Sequence, residues 1–384
     1  MEVKQIYTLV NAATQEILGE SAVLQENLSN LVDVGTAVFN ASAVEQYAGK
    51  LVDHIGRMVF VDRPYSGGAP SVMMDSWDYG SVLEKVSTEL PEASENEDFE
   101  LEDGASYDPN VFYRPVVTTK FFNKRVTFEI DRSITKKQIR ESFSSAAQMN
   151  SFLSMLYTAV DKSMTVKMDS LIMRTINNMI AETVHADYAA ASISSKSGIK
   201  AVNLLYLYND QFNKSITASD ALTDPDFIRY AAYVMGVYEA RLSRISKLFN
   251  IGAQDRFTPR DLLHVVLLSD FRKAAAVYLQ SDTFHQDLVA LPRSEDVPYW
   301  QGSGTGYAFT DTGKVYVTTA SGDSVTVTGV LGIMFDRDAL GVTCLDRSVE
   351  TQYNPKARFW NNFYKFDAGY FNDFNENFVV FFAA

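Results

Sequence analysis

Cysteine is almost missing from this chain. Cys344 stands alone among 384 residues, which excludes a disulfide within the molecule. It lies in an apolar alternation (GVTCLD) and reads as a small core residue, not a reactive thiol. Histidine is nearly as scarce: His54, His185, His264 and His285 are far apart, with neither HExxH nor His-x-His spacing for zinc. His264 falls inside an apolar run and reads as a core or interface residue. Positive charge is in deficit, with 34 Lys and Arg against 48 Asp and Glu and a net charge of -14. That balance argues against a surface that grips nucleic-acid phosphates. Long apolar runs are absent as well. Nothing approaches the roughly 18 residues of a membrane span, and Met1 to Ala12 has no apolar segment following basic residues, so no signal peptide is read. The expected setting is a cytoplasm, or something assembled there.

Signatures of chemistry are missing too. No GxSxG, CxxC or Walker pattern occurs. Gly302, Gly304 and Gly306 resemble a phosphate-cradling loop only superficially, because no Lys-Ser or Lys-Thr follows and the next stretch reads as a strand; a flexible turn is expected. Asp336 and Asp338 stand two apart at an apparent turn, as chance allows in so acidic a chain. No catalytic, cofactor-binding or metal-ligating residue is assigned.

What the chain does have is one long helical signal. From Met149 to Ile180, apolar residues recur at Phe152, Leu153, Leu156, Val160, Met164, Met168, Leu171, Ile172, Ile176 and Met179, three or four apart, with no Pro or Gly between. Such a helix would run roughly 48 Å, more than a small globule needs. The length allows two or three domains, and the 12% of aromatic residues favours extensive packed or interfacial surface.

In chain order, the first thirty residues read as a polar arm or loose helix. A helix within Leu31 to Val61 follows, capped by Gly56, with a strand-like Arg57 to Val61 after the cap. Two strand-like pieces, Ser71 to Asp78 and Tyr113 to Ile130, flank the acid-dense Glu84 to Asp103. The segment reads as a two-stranded finger with an acidic tip, too thin to be stable alone. Ser133 to Arg140 leads into the long helix, and Ala190 to Lys200 reads as a junction. A second long helix is expected at Asp226 to Phe249, and Thr258-Pro259-Asp261 reads as another helix start. Leu262 to Leu268 suggests a buried central strand, after which Ser269-Asp270 caps Phe271 to Leu279. A hairpin is expected around Ser321-Gly322-Asp323, between Val315 to Thr319 and Val325 to Thr328. Strands then follow at Leu331 to Phe335, Gly341 to Leu345, Ala357 to Phe366 and Asn375 to Phe382. The order of elements gives an α+β fold with mixed sheets and separated lobes.

Three blocks carry a resemblance. They are Val32 to Val61 (VDVGTAVFNASAVEQYAGKLVDHIGRMVFV), Val111 to Ile180 with its strand, polar lead-in and long helix, and Ile333 to Phe381. The most specific part of the third block is Asn-Pro-Lys-Ala-Arg followed by Trp-Asn-Asn-Phe-Tyr, residues 354 to 364. Together they resemble the HK97-type major capsid proteins of tailed bacteriophages, nearest to the phi29 type. The resemblance implies an N-terminal arm and helix over 1–66, an extended β-hairpin loop over 67–132, and a peripheral domain with the spine helix over 133–192. An axial domain over 193–340 and return strands of the peripheral domain over 341–384 complete it.

It further implies a structural protein and not an enzyme. Copies would assemble into pentamers and hexamers of an icosahedral or prolate head around double-stranded DNA, held without sequence-specific binding. The partners would be the chain itself, a portal protein and, because the arm begins almost at once, a separate scaffolding protein; no membrane is involved. The location would be the virion capsid, assembled in the host cytoplasm. Cross-linking through Lys85 in the finger is not supported by any Asn and acid visibly placed around it. The acidic tip, including Glu95, Glu97 and Asp98, is expected to meet basic residues of a neighbour, such as Lys136, Lys137, Arg140, Lys124 or Arg125. Two other readings stand beside this one: an encapsulin-type nanocompartment shell, and a soluble hydrolase using paired carboxylates.

Overall fold

A computed structural model describes residues 3–18, 24–25, 29–40, 46–47, 50, 68–72, 82–91, 103–104, 110, 112–142, 146–189, 191–280, 291–301 and 309–384. The described chain opens with helices α1 (Val3–Leu18) and α2 (Leu31–Asn40), so the polar arm is helical. Strands β1 (Leu83–Thr88), β2 (Val117–Phe122) and β3 (Arg125–Thr135) follow, then α3 (Lys136–Ser142) and the long α4 (Ala146–Tyr188). Next come β4 (Ala201–Asn203), α5 (Leu204–Phe212), α6 (Pro225–Leu242), β5 (Leu263–Leu268), α7 (Ser269–Gln280) and β6 (Glu295–Val297). A strand-rich stretch closes the chain: β7 (Val315–Thr318), β8 (Ser324–Val327), β9 (Val330–Asp336), β10 (Leu340–Asn354), β11 (Phe359–Asn372) and β12 (Phe378–Phe382).

Two compact units emerge. The first comprises Met1–Ala69, Arg125–Leu171 and Thr343–Gly369; the second comprises Pro70–Lys124, Ile172–Val342 and Tyr370–Ala384. In the first unit, β11 pairs antiparallel with β3 from Phe359↔Thr135 to Gly369↔Arg125, and β10 lies on the other side of β11. Burial along β11 alternates: Trp360, Asn362, Tyr364, Phe366 and Ala368 turn inward, as a half-buried sheet requires. Phe128 and Phe366 stack across the strand pair with centroids 5.0 Å apart.

The second unit is built on a mixed five-stranded sheet in the order β4-β12-β9-β5-β6. All of β9 and β12 is buried, so both faces of the sheet's centre are covered. Gly332 in β9 is required by its neighbour: a Cβ there would lie 2.5 Å from Leu267 Cδ2 and 3.0 Å from the Val266 carbonyl oxygen on β5. Asn203 closes the β4 edge, where its Nδ2 donates to the carbonyls of Ile193 and Ala384 while its Oδ1 caps α5 by accepting from Tyr206 N–H. Asp224 caps α6 by accepting from the N–H groups of Asp226 and Phe227, with Pro225 in the first turn.

The long helix outruns the expectation at both ends. At 43 residues it spans about 65 Å, and Ala181, Val184 and Tyr188 continue its buried stripe to the C-terminal end. Other expectations are corrected. The first finger strand is Leu83–Thr88, where the acidic loop was expected to begin, while Ser71 and Val72 are not in a strand. The continuous strand expected from Tyr113 to Ile130 is broken at Asn123-Lys124, because β2 pairs with β1 whereas β3 pairs with β11. The second long helix ends at Leu242, and the following segment is pinned by a bridge between Ser246 and Arg256.

Thr258-Pro259 starts no helix. Thr258 N–H donates to the Leu242 carbonyl, Leu262 N–H closes a turn on Pro259, and the next residues enter β5. The cap residues are present there, but the 3.6-residue period that must follow them is not. Gly56, the Arg57 to Val61 piece and Gly302, Gly304 and Gly306 lie outside the described residues.

Candidate assembly surfaces

The finger is a ladder of six residue pairs from Leu83↔Phe122 to Thr88↔Val117. Its alternation puts Leu83, Lys85 and Ser87 with Phe122, Lys120 and Thr118 on one face, which is half-buried towards its root. The opposite face presents Val86, Val117 and Phe121, and both valine and phenylalanine are more than three-fifths exposed at Val86 and Phe121. Beyond the ladder Phe112 and Tyr113 are exposed above four-fifths. No residue of either strand is fully buried, so the finger has no core of its own.

Its root is tied by one carboxylate. Lys85 and Lys120 are direct cross-strand partners, an arrangement of like charges that costs stability by itself. Asp373, only 3% exposed, accepts from both: Lys85 Nζ lies 3.2 Å from Oδ2 and Lys120 Nζ 3.1 Å from Oδ1. Lys85 also donates to the Asp338 carbonyl and stands 5.2 Å over the Phe371 ring, which packs against Phe122 at 5.1 Å. Asp373 is held in turn by the N–H of Asn375, and its own N–H donates to the Ala339 carbonyl. Nearby, burial raises the carboxyl pKa of Asp336, with a hydrogen bond from Asp338 N–H opposing it. Burial likewise raises that of Glu376, against the pull of Arg256, whose Nε lies 3.3 Å away.

Beside the root is a groove of about 500 Å³, with Lys120, Lys124, Arg174, Glu182, Tyr370 and Phe374 among its walls. Arg174 donates to the Tyr370 hydroxyl at 3.1 Å. The β7–β8 hairpin, turning on Gly322 at φ +93°, is joined to α4 through Ala320 N–H on Glu182 and through His185 Nε2, 3.2 Å from Asp323. His264 faces Phe335 with centroids 5.4 Å apart, and burial lowers its pKa. Asp336 and Asp338 form a turn in which the Asp336 side chain accepts from Asp338 N–H. His54, His285, Glu95, Glu97 and Asp98 lie outside the described residues. Among the described residues no group of three or more His, Cys, Asp or Glu could hold a metal ion, and no helix is long and apolar enough to cross a membrane.

The finger is thus tied at its root yet has no core of its own and leaves an apolar face exposed, and the chain carries a 43-residue helix. A family model described as Phi29-like phage major capsid protein matches residues 10–382. The chain belongs to that family. It is therefore a head shell protein, a component of the virion capsid that assembles with itself, and its role is structural.

A solved capsid structure agrees in fold. This capsid protein is similar to a chain of the capsid of Staphylococcus phage Andhra, with a TM-score of 0.50 and 9% identity over 85% of this chain and 87% of that one. A chain from the structure of the head fiber and inner core protein gp22 of native bacteriophage P68 aligns with a TM-score of 0.48 and 9% identity, covering 85% and 89%. No curated protein matches the sequence. The architecture of the capsid protein is the mixed helix and sheet arrangement of the HK97-like fold.

Sequence reading missed the Asp373 clamp. Its signal was present in YFNDFNENF, where Asn372, Asp373, Asn375 and Asn377 interrupt an aromatic run. Short polar residues inside an apolar stretch mark buried hydrogen bonding. Their partners on the finger, 253 and 288 residues away, could not be read without the ladder register.

Proposed function

We propose that this shell protein forms pentamers and hexamers, which close into an icosahedral or prolate head around packaged double-stranded DNA. A separate scaffolding protein directs closure, a portal protein occupies one vertex, and assembly takes place in the host cytoplasm. In this reading 1–66 is the arm, 67–132 the extended loop and 133–192 with 341–384 the peripheral domain on its spine helix. The remaining 193–340 is the axial domain. The observation that carries the proposal is the family match across residues 10–382. The net charge of -14 supports a container that confines DNA without phosphate contacts.

The test is electron microscopy of the purified chain, expressed alone and with its neighbouring scaffold gene. Closed shells, tubes or capsomer rings are expected. A stable monomer under both conditions overturns the proposal.

A further inference from the structure

The middle of the outward face of α6 is apolar where a solvated helix would be charged. Its inward side is fixed by Phe227, Ile228, Ala231, Ala232, Met235 and Leu242, all fully buried. The opposite stripe carries charge at its ends, in Asp226 paired with Arg229 and in Arg241, but its middle runs Tyr230, Tyr233, Gly236, Val237 and Ala240 with no charge among them. Tyr233 is 57% exposed, and Phe212 of α5, 49% exposed, meets Tyr230 edge-on at 5.6 Å, extending the patch onto a second helix.

Gly236 is the telling residue. Glycine is the least favourable residue for a helix interior after proline. Among the described residues nothing asks for it here, since a Cβ at Gly236 would meet none of their atoms within 4 Å. The contrast is Gly332, whose missing side chain leaves room for β5. An open glycine one turn from the exposed Tyr233 is a place where another molecule's backbone can come close.

We infer that this face of α6 with Phe212 is a contact surface for a second copy of the chain, with Gly236 at the point of closest approach. A second copy is the occupant that a shell supplies next to every subunit. Charge agrees with it. Arg241, which stands 5.6 Å over the Tyr238 ring, and Arg244 form no ion pair with a carboxylate among the described residues, whereas each copy carries 14 more acids than bases. Immediately after α6, Ile245, Leu248 and Phe257 are also exposed, so the unpartnered surface continues along the chain. The contact is head-to-tail, this patch meeting a different surface of the neighbour, as in closed rings.

The inference rests on the shell role, and its test separates the two. Gly236→Ala and Gly236→Leu add side chains into open space, so both unassembled subunits should melt at or above the wild-type temperature. Shell yield, measured by sedimentation of chains co-expressed with their scaffolding protein, should fall at least tenfold for Gly236→Leu and little for Gly236→Ala. Wild-type yield from a well-folded Gly236→Leu chain overturns the contact while leaving the shell role intact. Failure of the wild type to form shells overturns the shell role and the contact with it. If Gly236→Leu does not fold, a photo-crosslinking amino acid in place of Tyr233 decides the matter in assembled shells. A covalent dimer of this chain is the expected product. A crosslink to another protein, or none between copies, overturns the inference.

Discussion

At the scale of single residues, Asp373 has more to neutralise than one carboxylate ordinarily does, because two lysines that oppose each other across the ladder both end on it. The two sides of this arrangement differ in their access to water. Lys85 and Lys120 are 20% and 33% exposed at the side chain, but Asp373 is 3% exposed. Removing the acid leaves cations that can still reach solvent, whereas removing both cations strands a buried charge. Asp373→Ala should therefore destabilise the subunit by on the order of 3 kcal/mol, and Lys85→Met with Lys120→Met by more. Denaturant titration of the unassembled chain gives the totals, and hydrogen exchange should rise first at 83–88 and 117–122 in both variants.

His264 sets a second expectation. Its pKa is lowered by burial, so the folded chain binds fewer protons than the unfolded one as pH falls below 6.5. Stability should decline with acid in that range, and His264→Phe, stacked on Phe335, should flatten the decline in melts taken between pH 7 and 5. Asp336 and Glu376 act with the opposite sign. Their raised values make them stabilising at low pH, a contribution lost as pH rises through those values.

At the scale of elements, the crowding between β9 and β5 is open to test. Gly332→Ala forces a Cβ against Leu267 and should cost about 1–3 kcal/mol. Leu267→Ala should recover part of that loss in the double variant despite its own cavity, so the two changes are non-additive in thermal melts. The same elements show what could be read from the chain. The spine helix, β5, the β7–β8 hairpin, β9 and β12 were legible because each carries its own period or turn chemistry.

The finger was legible as a kind of element but not in its register. Leu83–Thr88 mixes Glu84, Lys85 and Ser87 with its apolar residues and alternates too weakly to stand out, and its register is fixed by a partner strand at Val117–Phe122. Thr258-Pro259 failed for the reverse reason: a strong local start signal precedes an apolar run that the sheet claims for β5. The α6 surface patch was hidden inside an apolar period that could not show which side lacks a partner within the subunit.

At the scale of the whole molecule, charge and shape bear on how copies join. The acidic stretch holding Glu95, Glu97 and Asp98 is matched by no comparable block of acids elsewhere in the chain. Changing these three to Lys should weaken assembly, and the defect should shrink as salt rises and screens the new repulsion. Light scattering of assembling chains at two ionic strengths measures this, and unchanged assembly would sink the role assigned to the tip.

The position of β12 has a consequence for synthesis on the ribosome. Among the described residues β4 pairs only with β12, and β12 also covers one edge of β9. Residues 378–382 are therefore the strip that joins a piece made near residue 201 to pieces made after residue 263. Until they emerge, β9 offers an open edge, and the Asp373 that ties the finger is made only just before them. A chain interrupted before Phe378 cannot complete its central sheet, and one interrupted before Asp373 cannot tie its finger either. Strand order thus makes synthesis through residue 382 a condition for a finished core, and chains stopped short of it should be missing from purified shells.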